Sequence, residues 1–162
     1  MSATEHQYRS SCHCQAVIVD FTAYERLEDR EFILCNCSIC NKNGYINYYV
    51  SKDNLNFVKG EFDLRVRDLQ FQFSSLQTDM WQEYSFAPHN RKHLFCPTCG
   101  ASMLIVSNEK IPDNGKIGVN MRSVEGLDVQ KLKTRAVDGR ARRPEDEMKA
   151  WEDAKMRDST KV

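Results

Sequence analysis

The sequence predicts a mainly β, single-domain protein tied together by metal-binding cysteines, with one short helix at its C-terminal end. Three observations carry that expectation. Apolar residues come in short runs rich in β-branched and aromatic types, divided by polar or glycine- and proline-containing turns, and no sustained helical period occurs before Pro144. Seven cysteines fall into three clusters: Cys12 with Cys14, Cys35 with Cys37 and Cys40, and Cys96 with Cys99. The length of 162 residues suits one domain able to bury a core without disulfides.

Taken in order, Met1 to Arg9 is polar and predicts a tail. Residues 15–21, Gln-Ala-Val-Ile-Val-Asp-Phe, predict a strand leaving the first cysteine pair. Glu25 to Glu31 is a charged connection, and Phe32-Ile33-Leu34 a short buried strand running into Cys35. Tyr45 to Val50 predicts the next strand, so the three-cysteine segment and the following Asn41-Lys42-Asn43-Gly44 are expected as a turn between two strands. Ser51 to Asn54 reads as a turn, Leu55 to Val58 as a strand, and Lys59 to Glu61 as another turn. Leu64 to Arg67 alternates apolar with charged residues, as a strand with one wet face does.

Phe71, Phe73, Trp81, Tyr84 and Phe86 lie in a weakly punctuated region, with Ser74 to Asp79 as its loop, and Pro88 to Lys92 turns the chain. His93-Leu94-Phe95 delivers Cys96, Ser102 to Val106 leaves Cys99 as a strand, and Pro112 to Gly115 marks a hairpin before Ile117 to Asn120. Beyond Val124, six Lys or Arg between Lys131 and Arg143 predict a loose, surface-covering segment. Pro144, acids at 145–147, and Met148 with Trp151 predict a terminal amphipathic helix. The expected organisation is thus a tail over 1–9, the domain over 10–143, and a helix and tail over 144–162.

Charged residues balance at 23 against 23, which argues against a nucleic-acid or membrane partner for the whole surface and makes a small molecule the default. The first residues lack the apolar core of a secretory signal, and no apolar run nears the ~20 residues that span a bilayer. A cytoplasmic protein is expected. In such a reducing compartment clustered cysteines are first of all metal ligands or redox groups, and an odd count of seven fits bridges poorly. Nothing in the sequence speaks to oligomeric state.

Cys96-Pro97-Thr98-Cys99-Gly100 is the most specific local signal, a knuckle whose two sulfurs converge on zinc. A thioredoxin-like redox pair would need the motif to open a helix, whereas the residues after Gly100 read as strand. The knuckle needs two further ligands, and Cys12 with Cys14 supplies them. Cys35, Cys37 and Cys40 then remain, three thiols within six residues. They are read as an open zinc site whose fourth position takes water or substrate, against a site closed by His13, His89 or His93, and against unmetallated thiols. Cross-pairing with the knuckle is a further alternative that strands ligands.

Other candidates each carry a plainer reading. His93 invites a role as ligand or base, but packing beside the knuckle explains it as well. Tyr45, Tyr48 and Tyr49 are pocket or core residues. Lys42, Lys52, Arg91 and Lys92 are carboxylate partners or solvated charges, and the arginines over 135–143 phosphate ligands or a solvated segment.

The ordered motifs, Cys-x-Cys at 12–14, Cys-x-Cys-Ser-x-Cys at 35–40 with Gly44 four residues on, and Phe-Cys-Pro-x-Cys-Gly at 95–100, resemble the glutathione-dependent formaldehyde-activating enzyme (GFA) family, whose domain centromere protein V shares. Asn120 to Gly126 and Val137 to Arg140 look like that family's closing segments. Ser11 and Gln15 stand where the family commonly has glycine beside the first pair, and the interval from Cys40 to Cys96 is long for it. The resemblance implies an Mss-four-like β-fold with zinc knuckles and two zinc ions per chain. One would be structural, on Cys12, Cys14, Cys96 and Cys99. The other would be catalytic, on Cys35, Cys37 and Cys40, where glutathione or another thiol and formaldehyde combine into S-hydroxymethylglutathione, a carbon-sulfur lyase chemistry. The rival expectations are a zinc-stabilised module binding protein or nucleic acid through the basic stretch over 131–143, and a metal chaperone.

Overall fold

The computed structural model describes residues 4–60, 81–85, 91–107 and 116–141. The expected strand over 64–67, the loop over 74–79, the hairpin at 112–115, the terminal helix, and Phe71, Phe73, Phe86, His89, Arg142 and Arg143 lie outside these residues. Within them the protein is mainly β, as expected. Strand β1 (His6–Ser11) pairs antiparallel with β2 (Ile18–Ala23), which pairs with β5 (Leu55–Lys59) in a three-stranded sheet. A seven-stranded sheet runs in the order β10 (Lys133–Val137), β3 (Glu31–Cys35), β4 (Asn47–Ser51), β9 (Lys116–Asn120), β8 (Ser102–Ser107), β7 (Arg91–Phe95), β6 (Gln82–Tyr84).

One apolar core joins the sheets. Phe21, Leu27, Phe32, Leu94, Met103, Leu104, Val119 and Met121 are buried in it together with Cys12 and Cys96. Each large side chain so buried contributes about 1.5–3 kcal/mol. Tyr8 stacks on Phe21 with ring centroids 5.7 Å apart, and Tyr48 meets Phe32 edge-on at 6.0 Å.

Four sequence expectations need correction. The chain is already strand from His6, inside the expected tail, because alternate residues of β1 turn inward and Ser10 is fully buried. Pro88 to Lys92 does not turn throughout, since β7 begins at Arg91. The three-cysteine segment is not a simple turn. Ser38–Asn43 forms helix α1, with Cys37 in extended conformation at its N-cap and Gly44 in the left-handed region (φ 61°) closing its C-terminus on the Cys40 carbonyl. A helix of six residues is too short to display a period, though a glycine just past its end is the usual stop signal.

The segment beyond Val124 is not loose throughout either. β10 lies parallel to β3 in a register that sets Val137 beside Cys35. Its side chains are mostly exposed, so alternation could not reveal it, and parallel pairing leaves no hairpin signature.

Candidate functional site

The first cysteine group forms where two knuckles meet. Cys12 follows β1, its amide bonds the Val17 carbonyl at 3.1 Å, and the turn passes through Gln15 at φ 56°. The second knuckle follows β7, where the Cys96 amide bonds the Ala101 carbonyl at 3.0 Å and Gly100, at φ 71°, donates to the Cys96 carbonyl at 2.9 Å. The left-handed turn there suits a glycine.

The sulfurs of Cys12, Cys14, Cys96 and Cys99 all lie within 4.8 Å of one another, with Cys12–Cys14 and Cys14–Cys96 separations of 3.6 Å. A tetrahedral zinc with bonds near 2.3 Å requires sulfurs roughly 3.8 Å apart, so the four residues fit that ion. The amides of Ala101 and Cys14 lower the Cys99 thiol to about 6, whereas burial raises Cys12 to about 11.

The second group is separate. Cys35 ends β3, Cys37 caps α1, and Cys40 lies in its first turn, which brings their three sulfurs within 4.8 Å of one another. Among the described residues no histidine or carboxylate joins them. His13 is exposed, and His93 is buried with its ring 5.6 Å from that of Tyr45. Neither belongs to a ligand group among the described residues. Three thiols at this spacing fit a zinc with one position not filled by these residues.

The electrostatics of the trio are uneven. Burial works to raise the Cys37 thiol, but the amides of Cys40 and Ile39 and the adjoining thiols outweigh it and leave it lowered. Burial raises Cys35 and, more strongly, Cys40. The Asn47 side-chain amide donates to the Cys40 sulfur at 3.8 Å, and the Cys37 backbone amide to Cys35 at 3.4 Å. Tyr45 and Ile105 back Cys40 on the apolar side. Tyr45 is a core residue, not a pocket wall, and burial pushes its hydroxyl up to about 12.

The closing segment Asp138–Ala141 is laced to the trio through Asn36, the residue between Cys35 and Cys37. The Asn36 amide donates to Asp138 Oδ1 at 2.8 Å, while Asn36 Oδ1 accepts from the Arg140 amide at 3.0 Å. Arg140 Nε donates to the Asn36 carbonyl at 2.8 Å. The Asn36 bond, followed by that from the Ala141 amide, holds the Asp138 carboxyl below its usual range. Sequence reasoning singled out the cysteines but missed Asn36, Asn47 and Gly139 as their supports. Only the position of Asn36 inside Cys-x-Cys and the likeness of Val137–Arg140 to a closing segment could have signalled them. Of the cations weighed as carboxylate partners or solvated charges, Arg91 bonds Ser107 at 3.0 Å and Lys92 pairs with Glu83 at 2.9 Å.

A family model described as glutathione-dependent formaldehyde-activating enzyme matches residues 7–136 of this chain. No curated protein matches it. Among solved structures the chain is similar to a crystal structure of a Rhodobacter sphaeroides protein, at 23% identity and a TM-score of 0.56, over 78% of this chain and 99% of that one. That likeness speaks for the fold.

Proposed function

Since the chain belongs to the glutathione-dependent formaldehyde-activating enzyme family, we propose that it is a zinc-dependent enzyme of the carbon-sulfur lyase type, joining glutathione or another thiol to formaldehyde or a related aldehyde. The observation that carries this reading is the second sulfur group, Cys35, Cys37 and Cys40, which stands apart from a complete four-sulfur group and gathers three donors. In the reaction the thiol sulfur bonds to the aldehyde carbon, the carbonyl electron pair moves to oxygen, and oxygen takes the proton that the thiol gives up. The product is a hydroxymethyl thioether with nothing left over.

A zinc held by three thiolates would stabilise the substrate sulfur as thiolate while being a poor source of hydroxide. The chain's own part is to orient. Asn47 and the Cys37 amide fix the sulfurs of Cys40 and Cys35, and the apolar backing of Tyr45 and Ile105 keeps water from Cys40. Holding both reactants at one point supplies much of the rate by proximity.

Cys12, Cys14, Cys96 and Cys99 take the structural role in this reading, and the domain over 10–143 extends back to include β1. Seven free cysteines suit a cytoplasmic setting. Among the described residues no helix is long and apolar enough to cross a membrane. A nucleic-acid partner is disfavoured because Lys131 and Arg135 of the basic stretch already face Asp128 and Glu31.

The test is glutathione consumption that depends on formaldehyde, followed with the zinc-loaded protein and with Cys37→Ser. Turnover by the first alone is expected. No rate above the uncatalysed reaction from protein carrying two zinc ions would overturn the enzyme reading in favour of a binding module or metal chaperone.

A further inference from the structure

The trio with a divalent ion carries a net negative charge, so a second negative group on the substrate needs a cation nearby. Of the cations near the end of the described chain, Lys131 and Arg135 face acids at 3.1 and 3.4 Å, whereas Arg140 is held by the backbone carbonyl of Asn36. Asp138, the acid nearest in sequence, directs its Oδ1 to the Asn36 side chain and the Ala141 amide. Among the described residues no carboxylate closes an ion pair with Arg140, although the Asp138 charge lies near enough to interact with it, and the Arg140 side chain is exposed.

Its placement is fixed from two sides. Nε and the backbone amide both bond Asn36, between two of the three cysteines, and Gly139 rests directly against Cys35 and Cys37. With Nε bonded, the two terminal nitrogens of this exposed side chain have no hydrogen bond among the described residues. That fork matches a carboxylate, with two parallel charge-assisted hydrogen bonds.

We propose that Arg140 binds a carboxylate of the thiol substrate, so that the site selects thiols carrying a carboxylate over neutral ones. The inference rests on the thiol-binding reading of the trio. It accounts for a lacing that carries an arginine, in no ion pair among the described residues, to the edge of a thiol site. The same geometry gives the substrate two attachment points, sulfur at the trio and carboxylate at Arg140.

The experiment is calorimetric binding to the full-length, zinc-loaded chain of glutathione and of glutathione diethyl ester, whose carboxylates are masked. Wild type should prefer the free acid by on the order of tenfold or more, and Arg140→Gln should bring the two affinities together with zinc content unchanged. Equal affinities in wild type, or an undiminished preference in R140Q, overturn the assignment while leaving the thiol site intact. Failure of wild type to bind either thiol removes the thiol-binding reading and this inference with it. Should R140Q lose metal, the charge-keeping Arg140→Lys takes its place, with an intermediate preference expected and an unchanged one overturning the assignment.

Discussion

Gly139 touches Cys35: a Cβ placed on Gly139 would overlap the Cys35 sulfur and crowd the Cys37 Cβ at 3.1 Å. The closing segment therefore packs against the trio by bare backbone, and Cys35 has only one side-chain torsion with which to yield. Gly139→Ala should empty the trio and spare the four-sulfur group, so that zinc falls from two ions per chain toward one with little change in the melting temperature. Retention of both ions in the purified variant, read by elemental analysis, would count against this packing.

The two sulfur groups should fail differently. Cys99 joins knuckles attached to β1 and β7 and partners the buried Cys12 and Cys96, so Cys99→Ser should cost several kcal/mol, because binding energy at a structural zinc is folding energy. Cys37→Ser should abolish turnover and leave denaturant stability within about 1 kcal/mol of wild type. Equal losses of stability in the two variants would erase the division of labour.

Asn47 is buried, and its amide reaches the Cys40 sulfur. Outer partners of metal ligands are typically worth 10–100-fold in affinity. Asn47→Leu, which keeps the bulk and removes the donor, should weaken zinc at the trio by about that factor in a chelator competition while the four-sulfur ion is released as before.

Much of this was legible in the sequence. Cys-x-x-Cys-Gly announces a knuckle by itself, the β-branched runs give the strands around Val19, Val50 and Leu104, and the count of four plus three cysteines divides the ligands. Helix α1 was hidden because six residues cannot show a period. The support of the trio by Val137–Arg140 was hidden because parallel pairing of β10 with β3 joins residues far apart along the chain. A hydrogen bond such as that from Asn47 to Cys40 leaves no local trace at all.

His93 offers a pH test of the core. Burial, with a smaller contribution from the Arg91 charge, lowers its pKa from 6.5 to about 4. Between those values the unfolded chain binds a proton that the folded chain does not. Stability from keeping His93 neutral is thus fully present above pH 6.5 and is lost as pH falls toward 4. From pH 6.5 to 5, wild type should lose about 2 kcal/mol more than His93→Gln in urea unfolding. Parallel losses would show that His93 does not titrate in this way.

The central claim is that Cys35, Cys37 and Cys40 take a substrate sulfur as their ion's fourth ligand. Cadmium NMR of the fully loaded protein reads this directly, because the shift reports how many sulfurs surround each ion. Two resonances are expected, one typical of four sulfurs and one of three, and adding glutathione should move only the second toward the four-sulfur range. A second resonance that already reports four protein ligands, or one that glutathione leaves in place, would contradict the account.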